Sequence, residues 1–300
     1  MTVREQSAAL FLRLPVGVRT RVLHRVGRFG PWEVGFDFTP PVLLPGERAG
    51  PPDFVGIGVQ KAGTTWWFNL VTSHPAVSTR DDIHKERHFF DRFGAAPFGP
   101  DDIDRYHGWF PRPADTITGE WTPDYFHYPW TPELVRRAAP DTRLLLLLRD
   151  PIERLRSGLA HQRRTGVPAD TMSYSDAVQR GFYDQRLRRW LDAFGPDRML
   201  VLQYERCALD PASELRRTFR FLGVTDEVRG ADARPRSNPF PVEGPPTDPD
   251  VVRRLVALYE DDVIALARRC PHIDLRLWPN FAYLSDAGSP DPSSSPTFRP

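Results

Sequence analysis

The chain has 300 residues, 40% of them hydrophobic and 26% charged, which suits one large globular domain with a substantial core or two small ones. A net charge of +1 argues against a broad nucleic-acid or polyanion surface. Two cysteines are too few for a disulfide framework, and the longest pure aliphatic run, Leu144 to Leu148, is far too short to cross a membrane, so a cytosolic protein is expected.

Residues 1–50 carry a basic, amphipathic segment from Ala8 to about Val26, read as part of a helix and not as a signal peptide. A Pro/Gly-rich linker follows, from Pro40 to Pro52. This is an extension packed on a domain that spans 51–285. The Ser/Pro-rich stretch 286–300 is expected to be a disordered tail.

The organising stretch is Phe54 to Leu70, FVGIGVQKAGTTWWFNL. Phe54, Val55, Ile57 and Val59 predict a buried strand, Gln60–Gly63 a tight turn, and Thr64–Leu70 a helix that ends near Ser73-His74-Pro75. A strand, a small-residue turn and a helix start make an anion site. The first helical N–H groups lack intrahelical partners and the helix dipole adds positive potential there. Lys61 adds a full charge, and Thr64 and Thr65 add hydroxyls. Gly58, Gly63 and Thr65 fit the P-loop pattern G-x-x-x-x-G-K-[ST], but Thr64 stands where its lysine belongs. An ordinary strand-to-helix turn with a surface lysine is the bland alternative.

Lys61 and Lys85 are the only lysines; the other 38 of the 40 basic residues are arginine. A compact ammonium differs chemically from a planar guanidinium, so two positions that resist the skew invite a functional reading. Ala76–Thr79 is a candidate second strand. If His84–Asp91 is extended, the period of two puts Glu86 and His88 on the same side. Residues 92–118 are loop-rich. Gly119–Phe126 is irregular and dense in aromatics. Pro132–Ala139 predicts a short helix, and Thr142–Leu148 a strand buried on both faces, central in a parallel sheet.

Arg149 then sits at a strand's carboxyl end. Asp150 is an N-cap, Pro151 a first helical residue, and Glu153 completes a capping box. Further on, Tyr174–Phe194 predicts an amphipathic helix broken near Gly181, Met199–Tyr204 a strand, and Ala212–Leu222 and Val251–Arg269 helices. Between the last two lies a Pro-rich loop, Val224–Asp248, with Arg234 and Arg236. No internal repeat is present. The alternation of strands and helices predicts an α/β, doubly wound, P-loop-like domain with a central parallel sheet flanked by helices and ligands at the strands' carboxyl ends.

Two anion sites, Lys61-x-Gly63-Thr64-Thr65 and Arg149…Ser157, suit a nucleotide phosphorylated at both 5′ and 3′ ends. The combination resembles the sulfotransferases that use 3′-phosphoadenosine 5′-phosphosulfate (PAPS). QKAGTTWW looks like their 5′-phosphosulfate loop and LLLLLRDPIERLRSGL like their 3′-phosphate motif. KERHFFD, GFYDQRLRRWLDAFG and VLQYERCALDP extend the likeness over residues 54–270. KERHFFD is similar to the heparan sulfate 3-O- and N-sulfotransferase branch and its bacterial relatives.

That resemblance implies Glu86 as catalytic base with His88 beside it. It implies Lys61 with Ala62, Gly63, Thr64 and Thr65 at the phosphosulfate, Trp66 or Trp67 near the adenine, Arg149 and Ser157 on the 3′-phosphate, and Gly181 and Tyr183 lining the nucleotide. Arg236 or Arg234 would close over the 3′-phosphate. Lys85, His88, Trp121 and Tyr125 are the acceptor-side candidates. Trp121 departs from the branch, which commonly has a lysine there. It implies either acceptor stacking, with a heparin-like acceptor disfavoured, or core packing. A small molecule, glycolipid or glycan is the expected acceptor, with no metal and no nucleic acid involved; oligomeric state is not legible. The Arg-rich composition associates with high-GC bacteria. An ATP-dependent P-loop phosphotransferase and a degenerate nucleotide-binding module are the alternatives.

Overall fold

The computed structural model describes residues 39–80, 85–94, 96–165, 171–228 and 248–288, together with Val18. Most of the N-terminal extension, nearly all of the tail, and Arg234 and Arg236 lie outside the described residues.

Six strands are described: β1 (Glu47–Arg48), β2 (Phe54–Gly58), β3 (Arg112–Pro113), β4 (Gly119–Trp121), β5 (Arg143–Leu148) and β6 (Met199–Gln203). β1 and β3 form a small antiparallel pair; the others form a parallel sheet in the order β4-β2-β5-β6. From β2 the chain reaches β4 on one side, and from β5 it reaches β6 on the other. The carboxyl ends of β2 and β5 therefore flank the point where the winding direction reverses, the usual ligand crevice of such sheets.

The helices are α1 (Thr64–Thr72), α2 (Pro100–His107), α3 (Thr131–Ala138), α4 (Pro151–Thr165), α5 (Thr171–Gln179), α6 (Asp184–Phe194), α7 (Tyr204–Leu209), α8 (Pro211–Leu222) and α9 (Pro249–Arg269). α8 packs on α1 and β6, while α9 packs on α4 and α6. Leu144 through Leu148 are fully buried in β5, as two-sided burial of a central parallel strand requires. Among the described residues no helix is long and apolar enough to cross a membrane. Cys207 and Cys270 are both buried free thiols.

The α4 start follows the predicted cap in part. Asp150 Oδ1 accepts from the backbone N–H of Ile152 (2.8 Å) and Glu153 (3.3 Å). Glu153 does not close a capping box, because the Asp150 N–H goes instead to Glu205 Oε1 (3.0 Å) and Glu153 pairs with Arg156. Asn280 holds the other Asp150 oxygen, which ties the C-terminal segment to the end of β5.

Three expectations are corrected. Ala76–Thr79 is not a strand: only Val77 bridges Ile117, and the Thr118 hydroxyl takes the Ser78 carbonyl that would carry the ladder on. The loop-rich region contains α2, whose start is held by Asp102 Oδ2 on the Gly99 N–H (3.1 Å). Trp121 lies in the core, its indole directly over Gly56 of the neighbouring strand and its Nε1–H donated to the Gly58 carbonyl (3.2 Å). A Cβ at Gly56 would fall 2.0 Å from Trp121 Cδ2. Gly56→Ala is therefore expected to destabilise the fold by about 3 kcal/mol, the upper end of ordinary overpacking, read as a lower urea midpoint at unchanged m.

Candidate active site

The turn after β2 places two consecutive-but-one residues in the left-handed region, Lys61 at φ 69° and Gly63 at φ 84°. Gly63 is required there on two counts: its φ, and the Tyr204 ring that a Cβ would meet at 2.8 Å. The first helical bond runs from the Trp67 N–H to the Gly63 carbonyl (3.1 Å), so the N–H groups of Thr64, Thr65 and Trp66 precede it. Ala62 is fully buried and its N–H is donated to the Val59 carbonyl (3.2 Å), so it shapes the turn and offers neither its side chain nor that N–H to a ligand. Thr64 is buried and Thr65 exposed. Trp67 is core, whereas Trp66 is half-buried beside Tyr204, with no hydrogen-bond partner for its Nε1 among the described residues.

The second anion element is adjacent to the first. Arg149 Nη1 donates to the Lys61 carbonyl (3.2 Å), and its guanidinium lies over the Tyr204 ring, 4.8 Å from the centroid. Gly158, the residue after Ser157, faces the Lys61 side chain at 4.0 Å from an ideal Cβ. Tyr183 does not line a nucleotide surface. It is fully buried, and its hydroxyl donates to the Arg149 carbonyl (2.8 Å), fixing the end of β5 from behind.

The third element is the segment from Lys85 to Asp91. Its backbone is pinned beneath by the G-E-W-T-P stretch. Thr122 Oγ1 accepts from the N–H of Arg87 (2.9 Å) and His88 (3.3 Å), the Tyr125 hydroxyl accepts from the Phe89 N–H (3.0 Å), and Trp121 N–H donates to the Lys85 carbonyl (3.1 Å). Fully buried Glu120 gathers the Tyr106 hydroxyl (2.7 Å), the Thr122 hydroxyl (2.6 Å) and the Tyr125 hydroxyl (3.2 Å). Burial raises the Glu120 pKa against those donors. Tyr125, like Trp121, thus supports the segment from the core and cannot face an acceptor.

Glu86 and His88 do meet, but through a turn and not an extended strand: His88 has φ 51°. His88 Nε2 lies 3.3 Å from Glu86 Oε2, and its Nδ1 lies 2.7 Å from Asp91 Oδ2 and 3.8 Å from Asp124 Oδ2. Burial alone would lower the His88 pKa; the hydrogen bonds to Asp91 and Glu86 outweigh it and hold the imidazolium up to about 10. His88 is therefore a charged neighbour and not a base at ordinary pH. Asp124 is bonded in turn to Arg180, which also holds Asp176 (2.7 Å).

Lys85 Nζ is the junction. It lies 2.9 Å from Glu86 Oε1 and donates to Thr65 Oγ1 (3.1 Å) and Thr64 Oγ1 (3.3 Å). Burial would raise the Glu86 pKa, yet the His88 hydrogen bond and the Lys85 charge outweigh it and lower it to about 2.

The structure thus brings Lys61, Thr64, Thr65, Lys85, Glu86, His88 and Arg149 together. Asp91, Asp124, Arg180 and Tyr204 were not singled out by sequence reasoning; the spacing of Asp91 three residues after His88 was the one available signal. His88, Asp91 and Asp124 are close enough to share an ion, but His88 is hydrogen-bonded to Asp91 and Asp124 to Arg180.

The family model of the sulfotransferase domain matches residues 51–232. The chain belongs to the sulfotransferase family. It is 34% identical over 200 residues to mouse heparan sulfate glucosamine 3-O-sulfotransferase 6, covering 60% of this chain and 54% of that protein. It is 34% identical over 194 residues to human heparan sulfate glucosamine 3-O-sulfotransferase 3B1, covering 58% and 46%. The bifunctional human heparan sulfate N-deacetylase/N-sulfotransferase 3 matches at 27% over 61% of this chain and 23% of its own. The chain spans about half the length of the curated 3-O-sulfotransferases it matches. A solved sulfotransferase structure from Alicyclobacillus acidocaldarius superposes with a TM-score of 0.61 at 24% identity, covering 76% of this chain and 98% of that one, which supports the fold.

Proposed function

We propose that this sulfotransferase moves a sulfuryl group from PAPS to a hydroxyl or amine of a small-molecule, glycolipid or glycan acceptor, within one domain over residues 51–285. The observation that carries the reading is the joining of three elements at one point. The candidate base Glu86 is linked through Lys85 to Thr64 and Thr65 at the start of α1, and Arg149 bonds the Lys61 turn that leads into the same helix.

The residues fit a nucleotide with two charged ends. The N–H groups of Thr64–Trp66 with Lys61 hold the 5′ end; Arg149 and Ser157, with Arg236 as a further candidate, hold the 3′-phosphate; half-buried Trp66 and Tyr204 border the base. The donor supplies a sulfuryl group attached to a phosphate leaving group. Lys61 and the start of α1 stabilise the charge that develops on that phosphate, and Glu86 takes the acceptor proton. His88, held charged by Asp91 and Asp124, orients Glu86 and the acceptor. No residue role here requires a metal.

A groove of about 500 Å³ lined by His127, Met172, Asp176, Gln179, Arg186 and Arg189 supports an acceptor with polar, hydrogen-bonding substituents. Its wall residue Asp176 is linked through Arg180 to Asp124 beside His88. Because Trp121 is buried, acceptor stacking on it is withdrawn, and its burial says nothing against a heparin-like acceptor. A cytosolic setting, with Cys207 and Cys270 reduced, belongs to the same proposal.

The test is thermal stabilisation by 3′-phosphoadenosine 5′-phosphate (PAP), ATP–Mg²⁺ and adenosine 5′-phosphosulfate in parallel. PAP is expected to stabilise selectively. Arg149→Ala should weaken PAP by about 10-fold or more, the loss of one charge-assisted contact, while adenosine 5′-phosphosulfate changes little. Stabilisation by ATP–Mg²⁺ alone would instead mark a phosphotransferase, and no response to any of the three a degenerate module.

A further inference from the structure

Lys85 was expected on the acceptor side; its contacts place it on the donor side. We propose that Lys85 is a donor-sensing positioning residue: without donor its ammonium ties up Glu86, and an anion seated at the start of α1 draws the ammonium to itself and frees Glu86 for the acceptor. This rests on the sulfotransferase reading above and adds a coupling between donor binding and the base that no residue role assigned so far contains.

An ammonium has three donors, and the three Lys85 contacts are Glu86 Oε1, Thr65 Oγ1 and Thr64 Oγ1 at 2.9, 3.1 and 3.3 Å. Two of these oxygens belong to the first two residues of α1, where the N–H groups and dipole attract an anion. An anion held there lies within ion-pair reach of Lys85 Nζ. It replaces two neutral hydroxyls with formal negative charge, and the ammonium is shared away from the carboxylate. Burial lowers the Lys85 pKa against the Glu86 charge, so this ammonium is poorly hydrated and responds strongly to a new anionic partner.

The consequence falls on Glu86. It faces Lys85 on one oxygen and His88 on the other; His88 faces Asp91 and Asp124, and Arg180 stands behind Asp124. Lys85 is the group that also touches α1, through Thr64 and Thr65. With His88 hydrogen-bonded to one oxygen and the ammonium at the other, Glu86 is a very weak base. With the ammonium withdrawn, Oε1 is open to the acceptor O–H or N–H while His88 still holds Oε2, and the proton affinity of Glu86 rises. In the transfer, the acceptor atom bonds to sulfur, the sulfur–oxygen bond to the 5′-phosphate breaks with its electron pair, and the acceptor proton moves to Glu86. A base that is engaged until the donor arrives keeps the acceptor from being deprotonated unproductively.

Linkage makes the idea testable without turnover. If PAP and Glu86 compete for Lys85, weakening one partner strengthens the other. By isothermal titration with PAP, Glu86→Gln is expected to tighten binding about 3–10-fold and Lys85→Met to weaken it about 10-fold, the size of a typical coupling. The double variant should bind like Lys85→Met alone. Plain charge repulsion between Glu86 and PAP would survive in the Lys85→Met background, and that result overturns the proposal. So does a Glu86→Gln protein that binds PAP no more tightly than wild type. Lys85→Gln serves in the same cycle should Lys85→Met fail to fold. A wild type that does not bind PAP at all sinks the sulfotransferase reading itself, whereas PAP binding without the Glu86→Gln gain sinks only this coupling.

Discussion

Glu86→Gln is expected to lower kcat by about 10²–10⁴-fold, the usual contribution of a general base, while the protein still binds PAP. The amide keeps the shape of the side chain and its hydrogen bond to Lys85, but it cannot accept the acceptor proton. Single-turnover rates with PAPS and any accepted hydroxyl compound, set beside PAP affinity, separate the two effects; an unchanged kcat removes Glu86 from the role. A second readout follows from the pairing itself. The folded pKa of Glu86 is depressed from 4.5 to about 2. Its pairing therefore contributes stability that is present above pH 4.5 and is lost as pH falls toward 2. Glu86→Gln should flatten the acid limb of the stability profile in that window, and since Glu86 is 39% exposed the change should be modest.

The parts of this site that were legible in the sequence are those fixed by local chain geometry. Gly63 before Thr64-Thr65, the LLLLL run and the Asp150-Pro151 cap each specify their own backbone within a few residues. What was not legible depends on which strand lies beside which. Trp121 reads equally as an acceptor-facing or a core aromatic until β4 is paired in register with β2, which sets its indole over Gly56. Glu120 precedes it in β4 and is buried because Tyr106 and Tyr125 arrive from α2 and from the turn that follows β4. Tyr183 shares that fate, its hydroxyl claimed by the β5 end. Glu86 and His88 met by a different route from the period-two argument, through a left-handed His88, a conformation uncommon for any residue but glycine. Lys85 shows the limit most clearly: its rarity marked it, but its contacts with Thr64 and Thr65, some twenty residues away, are made by the tertiary fold.

Removing the Lys61 charge is the other change with a large expected effect, and the backbone there dictates how it must be done. Lys61 sits at φ 69°, a region that costs a side-chain-bearing residue about 1–2 kcal/mol. Lys61→Ala keeps that strain and removes the charge; Lys61→Gly removes both. Glycine regains the strain energy but gives back about 0.5–1 kcal/mol through the greater freedom of its unfolded chain, so Lys61→Gly should melt close to wild type. Its kcat should nonetheless fall by about 10²–10³-fold, as when one preorganised donor to a developing anion is removed. Lys61→Arg should not restore the rate, because a planar guanidinium cannot place a point charge where the ammonium does. The Lys61 carbonyl still receives Arg149 in all three variants, so selectivity for the 3′-phosphorylated nucleotide should persist while turnover collapses. Measured melting temperature, PAP affinity and kcat for Lys61→Gly together decide the matter: a protein that folds and discriminates PAP from adenosine 5′-phosphosulfate, yet scarcely turns over, has lost leaving-group stabilisation and nothing else. If instead kcat stays within a few-fold of wild type, the charge at the start of α1 must come from Lys85, and the two lysines exchange roles.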